Sequence, residues 1–156
     1  MEMPKPTPQH DRLAAFAGSW EGDETLHPVP GLRDEPHASR GRFVNRIVLD
    51  GLFLQNAYEQ TQGGRVVFSG VGMYGFDVRS GTYTMHWFDR MGGAPETVVR
   101  GRFDGDVLTF AATAPFGQVR YVYTLHGPDE FGFAIATSKD GAAWTTFMEG
   151  RYRRVG

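Results

Sequence analysis

Gly18-Ser19-Trp20-Glu21-Gly22 is the stretch on which the reading of this chain turns. Upstream, Thr7 and Pro8 form a helix start, with Thr7 as N-cap and Pro8 at the first helical position. Leu13, Phe16 and Ala17 then fall on one helical face, and Gly18 suits the left-handed position that ends a helix. From Ser19 onward the pattern alternates residue by residue, which is the period of a strand. Trp20, Gly22, Glu24 and Leu26 share one face; Ser19, Glu21, Asp23 and Thr25 share the other. Trp20 is a large apolar plug whose indole N–H needs an acceptor, placed where a short helix hands over to a first strand.

The same alternation continues to the end of the chain. Phe43, Asn45, Ile47 and Leu49 take the Trp20 face, followed after an Asp50-Gly51 turn by Leu52, Leu54, Asn56 and Tyr58. Beyond the Gly63-Gly64 hairpin come Phe68, Gly70, Gly72, Tyr74 and Phe76, where two glycines imply close backbone approach. Tyr83, Met85, Trp87 and Asp89 oppose Thr82, Thr84, His86 and Phe88, which puts His86 outside. Later runs place Thr97, Val99, Gly101 and Phe103, then Leu108 and Phe110, then Tyr121 and Tyr123, then Phe131 and Phe133 inward. A last strand carries Trp144, Thr146, Met148 and Tyr152 on one face, with Glu149, Arg151 and Arg153 opposite. About ten strands joined by tight turns, with almost no helix, predict an all-β antiparallel up-and-down barrel with a short N-terminal helix. Pro28 to Ala38, with three prolines, is the longest irregular connection and the candidate loop over an opening.

Bulk composition bounds the function. The 156 residues suit one barrel domain spanning 1–156, with residues 1–7 as a flexible leader. A formal net charge of -2 argues against an electrostatic nucleic-acid binder. No run approaches the roughly 18 apolar residues of a membrane helix, so no membrane partner is expected. Zero cysteines exclude thiolate chemistry, and a polar N-terminus without an apolar signal core leads us to expect a cytoplasmic protein. Homodimerisation is left open.

If the Trp20 face points inward, the lumen is mostly apolar with a few orienting polar groups, as small-molecule pockets are. Candidate ligand contacts are Asn45, Asn56, Tyr58, Tyr74, Tyr83, Met85, Trp87, Tyr123 and Phe133. Glu24 is the sharpest residue: alone in an apolar lumen, its carboxylate would serve as a general acid or base. Tyr121 would partner it, and Asn45 or Asn56 would donate to a developing oxyanion. The alternative is a Glu24 near the barrel end, wet or paired with a last-strand arginine. Asp89 reads either as a rim acid or as a turn residue. No histidine pair has metal-motif spacing, so no metal is expected, and no cofactor fingerprint is present. Ser138-x-Asp140-Gly141-x-x-Trp144 resembles a sialidase Asp-box, but a single copy reads as a hairpin turn.

Taken together, several motifs carry a family resemblance: Pro8-x-His10-x-x-Leu13 before Gly18-Ser19-Trp20-Glu21-Gly22, then Leu49-Asp50-Gly51, Tyr74-Gly75-Phe76-Asp77 and Trp87-x-Asp89-x-Met91-Gly92. They resemble a bacterial domain family of unknown function in the calycin (lipocalin-like) superfamily, over nearly the whole chain. The resemblance implies a calycin-like barrel with a ligand-sized interior and no assigned reaction. Nitrobindins, a related haem-binding branch, carry a proximal histidine late in the chain; Ala143 to Gly156 holds none, which speaks against haem. In many lipocalins a final-strand arginine lies across the first tryptophan, a role open to Arg151 or Arg153. The expected function is binding of a small hydrophobic or aromatic molecule in the lumen. The alternative is a cofactor-independent isomerase, cyclase or lyase with Glu24 as acid/base.

Overall fold

The computed structural model describes residues 1–156 and shows ten antiparallel strands closing into one barrel, each paired with its neighbours in sequence and the last with the first. The chain begins with α1 (Pro8–Leu13) and a 3₁₀ turn (Ala14–Phe16). The strands are β1 (Gly18–Leu26), β2 (His37–Val48), β3 (Phe53–Gln62), β4 (Arg65–Asp77) and β5 (Thr82–Asp89). They continue as β6 (Val99–Asp104), β7 (Val107–Ala114), β8 (Gly117–Leu125), β9 (Glu130–Ser138) and β10 (Thr145–Arg154). No helix is long and apolar enough to cross a membrane.

The helical segment folds into one end of the barrel and plugs it. Leu13 and Phe16 are buried among Phe131, Tyr123 and Leu54, so the lower lumen is filled by the N-terminal segment as well as by the strands. A ten-stranded barrel would be too wide to fill from its own strands. The inserted helix removes that constraint here. Trp20 is 0% exposed, and its indole donates to the Phe16 carbonyl at 2.9 Å. Burial of so large a ring contributes on the order of 3 kcal/mol.

Arg154 covers Trp20 from below, its guanidinium 4.2 Å from the ring and bonded to the carbonyls of Ala17 and Pro128. The covering arginine is therefore neither Arg151 nor Arg153. Those two alternate outward from Tyr152 and pair with Glu130, whereas Arg154 keeps the inward phase.

The strand phases follow the alternation in sequence over most of the barrel, with His86 exposed and Tyr83 and Met85 buried. Four local departures have physical causes. Gly18 does not cap the helix: Ala17 is extended, and Gly18, at φ +116, opens β1 where a side chain would strike Arg154. Ile47 and Leu49 lie beyond the plugged end, 38% and 63% exposed, because β2 outruns the core there. Trp144 precedes a bulge between Thr146 and Met148 that reverses the phase, and it stacks outside on Arg120 at 3.8 Å. β6 starts only at Val99; Gly92, Gly93 and Pro95 hold residues 92–96 out of the ladder, so β5 pairs with β6 over Tyr83–Met85 alone.

Candidate functional site: the open end of the barrel

The inward-facing residues form three levels above the plug. In the lowest, Asn45 donates to the Phe16 carbonyl at 2.8 Å, and Asn56 donates to Asn45 Oδ1 at 2.5 Å. Tyr74 and Tyr123 share a hydroxyl–hydroxyl bond of 2.7 Å beside them. Burial pushes the Tyr74 hydroxyl up to about 12, and Tyr123 is raised well above its ordinary value for the same reason. All four residues line a cavity of about 20 Å³, large enough for a single water molecule. Asn56 Oδ1 faces this cavity with no protein partner. At this level the barrel is packed, and a ligand-sized interior is not found.

In the middle level Glu24 is 2% exposed. Its Oε2 accepts from Tyr58 at 2.7 Å and from Tyr152 at 2.5 Å. Its Oε1 accepts from Ser39 at 3.0 Å and Gln60 at 3.3 Å. A carboxylate offers about four acceptor sites, and here four protein donors on three other strands occupy them. The carboxylate is therefore neither alone, nor wet, nor paired with an arginine. Gly41 and Gly150 make the cluster possible, since a Cβ at either position would overlap Glu24 or the Tyr152 hydroxyl. Burial, and then the Glu24 charge, raise the hydroxyls of Tyr58 and Tyr152 far above the ordinary tyrosine range. An acid or base needs an open approach to its oxygens; these are enclosed.

The upper level differs. Phe68, Trp87, Tyr121 and Phe133 point inward yet are only half-buried. Phe68 on β4 and Trp87 on β5 lie next to the loops at the end opposite α1, Tyr121 lies midway along β8, and Phe133 on β9 stacks on Tyr123 with ring centroids 4.6 Å apart. Trp87 lies across Gly70 and Gly72, where Cβ atoms would run into its ring, so the close approach signalled by those glycines is made by an indole. Asp89 Oδ2 accepts from the indole N–H at 3.0 Å, and Oδ1 accepts from the Met91 amide at 2.9 Å. Asp89 is thus a turn residue and an anchor for Trp87 at once. Tyr58 meets Trp87 with ring centroids 6.5 Å apart, linking the Glu24 cluster to this level.

The candidate ligand residues therefore separate. Tyr83 lies at the plugged end, donating to the Gln9 carbonyl at 2.7 Å, and Met85 is core. Asn45, Asn56, Tyr74 and Tyr123 belong to the packed lower level, and Tyr58 to the Glu24 cluster. Trp87 stands at the open end; Tyr121, partly buried on β8, feels the Asp89 charge and makes no hydrogen bond to Glu24, and Phe133 is partly buried against Tyr123 and Phe43. Ser39, Gln60 and Phe68 complete the levels. Phe68 already lies on the inward face read from the sequence; Gln60 lies two residues beyond Tyr58 and Ser39 four before Phe43, so extending the alternation by one and two steps marks them as inward, though not as partners of Glu24.

A closed ten-stranded antiparallel β-barrel, plugged at one end by a short N-terminal helix, defines the class. Residues 5–154 match the family model described as protein of unknown function (DUF1579), and the chain belongs to that family. Among solved structures it is similar to Rv2717c from M. tuberculosis, with a TM-score of 0.71 and 18% identity, covering 96% of this chain and 99% of that one. It is also similar to the S-type phycobiliprotein lyase CPES from Guillardia theta, with a TM-score of 0.68 and 10% identity, covering 96% and 94%. At these identities the likeness concerns the fold. Among curated protein sequences none matches the chain.

Proposed function

We propose that the protein binds a small planar aromatic molecule at the open end of the barrel, stacked on Trp87 and flanked by Tyr121 and Phe133. The observation that carries this reading is a contrast along one strand. On β5 the inward residues Tyr83 and Met85 are buried, while Trp87, next on the same face, is only partly buried. An indole fixed by a hydrogen bond and backed by glycines is a preformed platform, and such platforms bind flat molecules without ordering cost. The enclosed Glu24 cluster then serves as the floor of the site, holding β1, β2, β3 and β10 in register beneath it.

The test is a thermal-shift screen of planar aromatic compounds of varied charge against the wild type and Trp87→Ala. Ligands that bind the folded form raise its melting temperature by mass action. The expected result is a set of compounds that stabilise the wild type by several degrees and leave Trp87→Ala unmoved. Equal shifts in both proteins, or none in either, would overturn the reading.

A further inference from the structure

We infer that the molecule held at the open end is an organic cation, with its positive charge set against Asp89. This inference rests on the binding reading above and narrows its ligand. Asp89 ends β5 in the inward phase and lies against the N–H edge of Trp87. Its carboxylate has about four acceptor sites, of which the indole and the Met91 amide fill two. None of the molecule's ion pairs involves it.

The basic side chains around this carboxylate lie elsewhere. Arg90, the next residue, is exposed and alternates outward. Arg65 stands at the Gly63-Gly64 hairpin, exposed and beyond the Phe68 level. Arg154, an inward-facing arginine, plugs the opposite end over Trp20. Asp89 thus supplies an uncompensated negative charge at an aromatic site, and its influence crosses the barrel: burial and then the Asp89 charge hold the Tyr121 hydroxyl above its ordinary value.

Aromatic faces attract cations through the ring quadrupole, most strongly for tryptophan. A ligand lying on Trp87 would place its charge next to the carboxylate that anchors the same ring. One group therefore orients the platform and selects what rests on it. Planar aromatic amines and N-alkylated heteroaromatic cations have this chemistry; aromatic carboxylates and sulfonates are repelled.

Two near-isosteric dyes test it: thioflavin T, a cationic benzothiazole, and its neutral analogue lacking the ring N-methyl group. Fluorescence titration of the wild type should show thioflavin T binding at least tenfold more tightly. That preference should shrink several-fold between low and high salt, because an exposed charge pair is screened. In Asp89→Asn the two dyes should bind within twofold of each other. Equal binding of both dyes to the wild type, or tighter binding of the anion anilinonaphthalene sulfonate, would overturn the cation inference and leave the aromatic platform standing. If no dye binds the wild type and the wider screen also yields nothing, the platform reading falls and this inference falls with it.

Discussion

Tyr152 donates its hydroxyl to Glu24 Oε2 at 2.5 Å, joining residues 128 apart in sequence across the seam where the last strand closes on the first. The seam is also a backbone ladder, in which Glu24 sits opposite Gly150. The missing side chain at Gly150 is what lets Tyr152 reach over to the carboxylate. Barrel closure is thereby tied to one buried acid and its four donors.

Glu24→Gln tests this directly. The amide keeps the shape but replaces one acceptor oxygen by an NH₂ group, which must face either the two tyrosine hydroxyls or Ser39 and Gln60. Leaving buried donors without an acceptor costs about 2–4 kcal/mol. For a chain of this size the melting temperature should fall by roughly 5–15 °C. Tyr152→Phe alone should cost about 1–2 kcal/mol, and the double variant clearly less than the sum. Urea unfolding of the four proteins checks this; additive losses, or a Glu24→Gln protein as stable as the wild type, would show that the cluster is not a unit.

Gly70→Ala should disturb the open end without touching the ladder. The new methyl group meets the Trp87 ring, which must tilt away from β4 or push the strand outward. Overpacking of this kind costs about 1–3 kcal/mol. Because Trp87 is half-buried, the ring has somewhere to go, and the lower part of that range is expected. The near-ultraviolet circular dichroism should change while the far-ultraviolet spectrum stays the same. An unchanged aromatic spectrum would mean that the ring does not rest on Gly70.

The sequence carried the strand phases because one face of each strand is apolar and buried, so a slip of one residue exposes it. The same alternation separates Trp87 from His86, and Gly70 and Gly72 mark the close approach on the Trp87 side. The donors around Glu24 were out of reach: Ser39, Tyr58, Gln60 and Tyr152 meet only through the registers of three strand pairs. Alternation also does not tell where along a strand the core stops, so it places Ile47 and Leu49 inward although both lie beyond the core. The filling of the lower lumen depends on how deeply α1 inserts, and helical period carries no information about depth. Arg154 lies two residues beyond Tyr152, the step that the inward phase requires, whereas Arg151 and Arg153 take the outward phase.

Arg154→Met should loosen the plugged end. Methionine retains the apolar stem but loses the stacking over Trp20 and the bonds to the Ala17 and Pro128 carbonyls. The expected cost is about 1–3 kcal/mol, from the cation–π contact and the charged hydrogen bonds together. Arg154→Lys should recover less than half of it, since an ammonium cannot lie flat on the indole and reach both carbonyls. Hydrogen exchange should quicken at the Trp20 amide and along α1 first. Full rescue by lysine would reduce the role of Arg154 to charge alone.

The tyrosines make a prediction at alkaline pH. All six are held above the ordinary value of about 10, with burial the leading cause in each case. In the unfolded chain they ionise near pH 10; in the folded chain they keep their protons higher, Tyr74 to about 12. The unfolded state therefore releases protons that the native state retains, and the associated stability is complete below pH 10 and is lost as pH rises through the folded values. Unfolding free energy should be flat from pH 7 to 9 as far as these groups are concerned and fall steeply from pH 10 toward 12. Native protein at pH 10.5 should show at most the phenolate absorbance of the partly exposed Tyr121 at 295 nm, and the buried tyrosines should add theirs in one step together with loss of the far-ultraviolet signal. Tyr74→Phe should lessen the slope of the decline. A gradual rise in absorbance near pH 10 with the fold intact would mean that water reaches these hydroxyls, and that the lower and middle levels of the barrel are not dry.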